Sequence, residues 1–224
     1  MSDRRIGLVT IGQSPRPAPA AEIARFLPEG VEIIHKGALD DLTREEIEAA
    51  KPKDGADTLF TTLRDREAVH VSKEVVHAGV NRRLAELDAE GVKVSLLLCT
   101  GEFHGLKSKG VVVLPSEALS AVTNAVFDKG RIGVMVPLPA QVPELPKKWE
   151  REGVTVTATD VAPGSAPEAF DAAADRLIAK GAEIIVMDCM GYTTADKARV
   201  RARFNGPVML GITSAARIMG EMIG

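Results

Sequence analysis

Two apolar runs constrain this chain more than any other feature: Leu96-Leu97-Leu98-Cys99-Thr100-Gly101 and Ile185-Val186-Met187-Asp188-Cys189-Met190-Gly191. Each closes on a cysteine and then, two residues on, a glycine. They hold the only two cysteines of the chain, one in each half. A short apolar run stopped by turn residues reads as a buried strand that delivers a side chain to its carboxyl end. In an open α/β sheet that end is where ligands bind. A paired-cysteine active site is the leading expectation.

A second echo supports two related lobes. Arg131-Ile132-Gly133-Val134-Met135-Val136 repeats the opening Arg5-Ile6-Gly7-Leu8-Val9-Thr10. Both runs enter a proline-containing loop with a glutamine, Gln13 or Gln141. Further strands are expected over Val31–Ile34, Thr58–Thr61, Val94–Leu98, Val111–Leu114, Val154–Thr159, Ile184–Met187 and Pro207–Gly211. Helices are expected between them: from Ala20 to Leu27, delayed by Pro15, Pro17 and Pro19; from the capping box Thr43-Arg44-Glu45-Glu46; and along Val76, Val80, Leu84 and Leu87 up to Gly91. Ser116 reads as the N-cap of a helix with a Leu119, Val122 and Val126 stripe. A further helix runs from the loop 137–146 to Glu152. Phe170, Leu177 and Ile178 mark the next one, closed by Gly181. Thr193-Thr194 caps another, and Ala215–Met222 is the last.

Alternating strands and helices imply α/β architecture, with parallel sheets flanked by helices in two pseudo-symmetric lobes and a cleft between them. The expected division is 1–115, 116–212 and a terminal helix 213–224 packing back between the lobes. Right-handed crossovers gather the β-to-α loops of a lobe at one edge. The loops Thr10–Arg16, Thr61–Arg64 and Cys99–Gly101 should then meet, as should Val136–Gln141, Cys189–Thr194 and Gly211–Ser214. If the two edges face each other, the cysteines oppose across the cleft.

Composition narrows the function classes. A formal charge of −3 gives no reason to expect nucleic acid or an anionic membrane as partner. Aromatics at 4 % argue against a base-stacking surface. No stretch is long and apolar enough to span a bilayer, and Met1-Ser2-Asp3-Arg4-Arg5 lacks the apolar core of a signal peptide, so a cytoplasmic location is expected. A structural disulfide is not expected there. Two cysteines without a Cys/His cluster make no zinc site, and no glycine pattern makes a phosphate loop. The apolar stretch Val111–Leu114 allows a homodimer.

Leu8-Val9-Thr10-Ile11-Gly12-Gln13-Ser14-Pro15-Arg16, Thr62-Leu63-Arg64-Asp65 and Asp188-Cys189-Met190-Gly191-Tyr192-Thr193 resemble the AroM family, nearly end to end. The pair Cys99-Thr100 and Cys189-Met190-Gly191-Tyr192 is more distantly similar to the aspartate/glutamate racemase superfamily. That group includes amino-acid racemases, hydantoin racemase, maleate isomerase and arylmalonate decarboxylase. The resemblance implies two pseudo-symmetric lobes, a site between them, and neither organic cofactor nor metal. The chain departs from the amino-acid racemases at two places. Their second cysteine is usually followed by Thr-His, and here by Met190-Gly191. Their first is usually followed by Asn-Thr, and here by Thr100-Gly101.

Inversion next to a carboxylate needs one group to remove a weakly acidic proton and another to return one from the opposite face. A thiolate and a thiol suit that task. The developing enolate needs fixed donors. Backbone N–H groups after Cys99 and Cys189, at Thr100, Gly101 and Gly191, and the hydroxyls of Thr10, Ser14, Thr100, Thr193 and Thr213 are the candidates, with Gln13 and Tyr192 beside them. The ligand is then a small carboxylate or amino-acid-like molecule. Alternatives stay open at each position. Either cysteine also fits a core filler. Arg16 fits a substrate carboxylate or an ion pair with Asp65. Arg64 and Asp65 fit an interlobe pair or a solvated turn. His104 fits an aid to Cys99 or an ordinary loop histidine. Asp188 stands next to Cys189, where its charge would disfavour a thiolate. Two other readings remain: a non-catalytic binding or regulatory protein, and a one-cysteine decarboxylase or lyase.

Overall fold

The computed structural model describes residues 4–52, 58–143 and 146–224. The first half runs β1 (Arg5–Thr10), α1 (Pro17–Ala24), β2 (Glu32–Gly37), α2 (Arg44–Ala49), β3 (Thr58–Thr62), β4 (Ala68–Ser72), α3 (Lys73–Ala89), β5 (Val94–Leu98) and β6 (Val111–Val113). The second runs α4 (Pro115–Val126), β7 (Gly130–Val136), α5 (Pro146–Trp149), β8 (Val154–Asp160), α6 (Pro167–Ala179), β9 (Ile184–Met187), α7 (Thr194–Arg203), β10 (Val208–Leu210) and α8 (Gly211–Ile223). Two units divide the chain: residues through Leu114 together with Met219–Gly224, and Pro115–Ile218. No helix among the described residues is long and apolar enough to cross a membrane.

Each unit is built on one parallel four-stranded sheet, β2-β1-β5-β6 in the first and β8-β7-β9-β10 in the second. The cysteine-bearing strands β5 and β9 take the same interior place in the two orders. Every residue of both strands is buried, as parallel strands covered on both faces require. One apolar core lies around Val9, Leu39, Val80, Leu84 and Leu97, the other around Leu119, Ile132, Val134, Trp149 and Val186.

The Arg-Ile-Gly echo has a structural counterpart. Arg5 donates to the Glu90 carbonyl, and Arg131 to the Lys180 carbonyl. Those are the C-cap residues of α3 and α6. Both helices end in the same way. Val92 N–H returns to Leu87 O and Gly91 N–H to Asp88 O; Ala182 N–H returns to Leu177 O and Gly181 N–H to Ile178 O. Gly91 and Gly181 sit at φ +81° and +77°, the left-handed turn that this helix end needs. The repeat thus extends from strand start to helix end.

Several local expectations are corrected. The segment Thr58–Ser72 is an antiparallel hairpin of β3 and β4 outside the parallel sheet. Strand β4 went unread because its alternation, Val69 and Val71 buried between exposed Ala68 and His70, is short and runs straight into a helix. Helix α1 starts at Pro17 and ends at Ala24, of the expected length but three residues earlier. First-turn N–H groups have no intrahelical acceptor, so Pro17 and Pro19 cost nothing there. Helix α4 starts at Pro115, which puts Ser116 inside the first turn. Its buried face carries Ser116, Leu119 and Thr123, while Val122 and Val126 are exposed. In α6 the buried set is Phe170, Ala173, Ala174 and Leu177, with Ile178 exposed. Helix α5 is a short piece ending at Trp149, and α8 begins already at Gly211.

Candidate active site

Cys99 leaves β5 half-buried, and its Sγ accepts the Gly101 N–H at 3.2 Å. Cys189 leaves the β9 region likewise half-buried, and its Sγ accepts the Gly191 N–H at 3.4 Å. Neither is disulfide-bonded. The two Cys-x-Gly turns therefore repeat in geometry as well as in sequence. A hydrogen bond donated to sulfur favours its charged form.

In the first unit the loop after β1 is knitted to its neighbours. Thr10 Oγ1 accepts Gly12 N–H at 3.3 Å and Arg16 Nε–H at 3.4 Å. Gln13 donates to Leu39 O at 3.3 Å and accepts Arg64 N–H at 3.1 Å. Ser14 gives both its N–H and its hydroxyl to Asp40, each at 2.7 Å. The Arg16 guanidinium binds Thr62 through both the hydroxyl and the carbonyl. Burial holds its proton affinity below that of an ordinary arginine, with the charge of Asp40 opposing. The loops at 10–16 and 61–64 meet, though the second is a hairpin turn of β3 and β4 rather than a crossover loop, and Leu59 on the same hairpin approaches Gly101.

The charged turn is the solvated one of the two alternatives, with Arg64 and Asp65 both exposed. Arg64 donates to Ser14 O at 2.7 Å and to Asp40 at 3.1 Å, all inside the first unit. Asp65 pairs with Arg44 at 3.1 Å, so neither an Arg64–Asp65 nor an Arg16–Asp65 pair forms. His104 is exposed, and its carbonyl bonds His77 Nε2 at 2.8 Å. Asp40 is the residue that sequence reading missed: it anchors Ser14, Gly37 N–H and Arg64 together. Its only signal was its place in a polar turn just after β2.

Two outcomes test this loop. A Cβ at buried Gly12 would meet Thr61 Oγ1, Thr62 O and the Arg16 guanidinium. Gly12→Ala should cost about 1–3 kcal/mol, the scale of overpacking, read as a lower urea midpoint at unchanged slope. The second concerns His35, whose Nδ1 accepts the Arg16 N–H at 3.2 Å and so must be unprotonated. Burial lowers its pKa below the ordinary 6.5. The unfolded chain then binds more protons in this window, so the contribution is present above 6.5 and is lost as pH falls through the folded value. The urea midpoint should drop on acidification below 6.5. His35→Asn keeps an acceptor without the titration, and its midpoint should fall less.

In the second unit Thr193 caps α7, exchanging hydrogen bonds with Asp196 in a capping box. Tyr192 is fully buried, donates its hydroxyl to Val161 O at 2.7 Å and meets Phe170 edge-on at 5.6 Å. Burial, then the charges of Cys189, Asp188, Asp160 and Asp196, push its ionisation far up, so it stays a neutral donor. Thr213 gives its hydroxyl to Leu210 O at 3.1 Å. Asp188, 1 % exposed, meets Lys148 Nζ at 3.1 Å, and that ammonium lies 5.1 Å from the Trp149 ring centre. The lysine escaped sequence reading because it stands about 40 residues upstream, in a proline-rich stretch with no periodic signal.

The parallel sheets define an α/β protein whose fold is shared with solved racemase and isomerase structures. Allantoin racemase from Klebsiella pneumoniae matches with TM-score 0.67 at 17 % identity, over 98 % of this chain and 87 % of that one. The maleate isomerase Iso from Pseudomonas putida S16 matches with TM-score 0.65 at 16 % identity, over 98 % and 92 %. Arylmalonate decarboxylase matches with TM-score 0.63 at 14 % identity, over 98 % and 92 %. At these identities the likeness establishes the fold. No curated protein sequence matches the chain. The chain belongs to the AroM family, whose model, described as AroM protein, matches residues 6–223.

Proposed function

We propose that this protein is a cofactor-independent, racemase-like isomerase that works at a carbon next to a carboxylate of a small molecule, with Cys99 and Cys189 as its acid/base pair. The observation that carries this reading is the doubled Cys-x-Gly turn: two half-buried thiols at equivalent strand ends, each taking a backbone N–H from the glycine two residues on. One sulfur removes the proton as thiolate while the other returns one as thiol. The shared fold with a racemase, an isomerase and a decarboxylase supports the same class of chemistry. The test is incubation of pooled small carboxylates and amino acids in deuterated water, read by mass spectrometry. Deuterium should enter one component next to its carboxylate. Its absence from every component would contradict the reading.

A second reading is favoured by one observation. After Cys189 stand buried Met190 and a glycine, so no titratable side chain follows the sulfur within the turn before buried Tyr192. A binding protein that kept the turns without the chemistry would be stabilised by a small carboxylate yet catalyse no exchange into it.

A further inference from the structure

We propose that Lys197, flanked by Arg201 and Arg217, anchors a carboxylate of the small molecule on which Cys189 acts; this rests on the function proposed above. Helix α7 divides its cations between two faces. Arg199 binds Asp171, with Nε at 3.1 Å, and Arg203 binds Asp175 at 3.0 and 2.6 Å, both partners lying on α6. At about 100° per residue, Lys197 and Arg201 fall on the opposite side. The cations near Lys197 are Arg201 and Arg217, the latter on α8. Among the described residues no ion pair holds the Lys197 ammonium, although the side chain is only partly exposed. Burial lowers its proton affinity, and the two arginines lower it further.

Position supplies the link to Cys189. Thr193, the N-cap of α7, ends the Cys189 turn, and Lys197 N–H bonds Thr193 O at 3.1 Å. Long side chains on a helix lean back over the preceding turn. For Lys197 that preceding turn is the one that starts at Thr193, where the Cys189 turn ends. An ammonium without an acid suits a small anion, which it holds by a charge-assisted hydrogen bond. A carboxylate and an inorganic phosphate share that chemistry; the proposed reaction selects the carboxylate.

Calorimetric titration with malonate and, separately, with inorganic phosphate tests this. Malonate should bind the wild type more tightly than phosphate does. Lys197→Met should weaken malonate about tenfold or more, the scale of one lost charge-assisted hydrogen bond. Lys197→Arg should retain most of the affinity, and Lys129→Met, remote on the chain, all of it. As a second measurement on unmutated protein, the carbon-13 signal of methylated Lys197 should titrate at higher pH when malonate is present. Equal malonate affinity in wild type and Lys197→Met, no binding of malonate, or a preference for phosphate would overturn the proposal. Exchange of deuterium by the wild type with malonate binding insensitive to Lys197 sinks this inference alone. Lys197-dependent malonate binding without any exchange sinks the proposed reaction alone.

Discussion

Replacing Cys189 by alanine should lower deuterium exchange into the substrate by about a hundredfold to ten-thousandfold, the range for losing a positioned general acid or base. Cys99→Ala should cost a similar amount. The expectation of equal loss follows from the mechanism. In the proposed mechanism each sulfur would serve one face of the carbon, and neither would replace the other. The equivalence of the two turns, with Sγ to N–H distances of 3.2 and 3.4 Å, gives no reason for one thiol to matter more. A one-cysteine decarboxylase or lyase would behave differently: one variant would be inactive and the other close to wild type. Circular dichroism and the urea midpoint separate loss of chemistry from loss of fold. Both cysteines are only half-buried, so truncation should leave the fold intact.

Lys148→Met should produce the largest loss of stability. Its side chain is 11 % exposed, and that of its partner Asp188 is 1 % exposed. Methionine keeps the apolar stem and removes the ammonium from beside a buried carboxylate. Breaking a buried pair from one side costs on the order of 3 kcal/mol. For a chain of this size the melting temperature should fall by roughly 6–12 °C. Adding Asp188→Asn should recover most of the loss, because the uncompensated charge then disappears. The contact of Lys148 with the Trp149 ring is lost in both variants, so recovery stays incomplete. The pair also bears on function. Asp188 precedes Cys189, and an uncompensated carboxylate disfavours a neighbouring thiolate. Lys148→Met should therefore slow alkylation of Cys189 by iodoacetamide at neutral pH, and the double variant should restore the rate. An unchanged melting temperature in Lys148→Met would show that the pair does not carry this burial.

What was legible in the sequence follows a physical line. Strand β9 is a continuous apolar run and β5 is one interrupted only by buried Ser95, with turn residues at their ends, the pattern of strands buried on both faces. The Arg-Ile-Gly echo was visible because two strand starts solve the same problem, closing a helix C-terminus with a guanidinium. The inner face of α4 was not legible, because burial there falls on Ser116 and Thr123 rather than on the valines. Polarity alone could not reveal that. The loop after β1 shows the same limit. Thr10, Gln13, Ser14 and Arg16 have the donors that a substrate site needs, and the structure shows what those donors bond within the first unit. Their partners Leu39, Asp40 and Thr62 stand 26 to 46 residues downstream, beyond any local pattern. Cys-x-Gly was legible as letters, but only coordinates show that the glycine N–H turns back to the sulfur.

The two-thiol mechanism requires Cys99 and Cys189 to reach one carbon, and cross-linking tests that without knowledge of the substrate. Reduced protein is treated with dichloroacetone, in which each thiolate displaces one chloride, and is then digested and read by mass spectrometry. The expected product is a single chain in which one acetone unit joins the peptide of Cys99 to that of Cys189. Efficient labelling of both cysteines as separate adducts, with no linked pair, would contradict the mechanism.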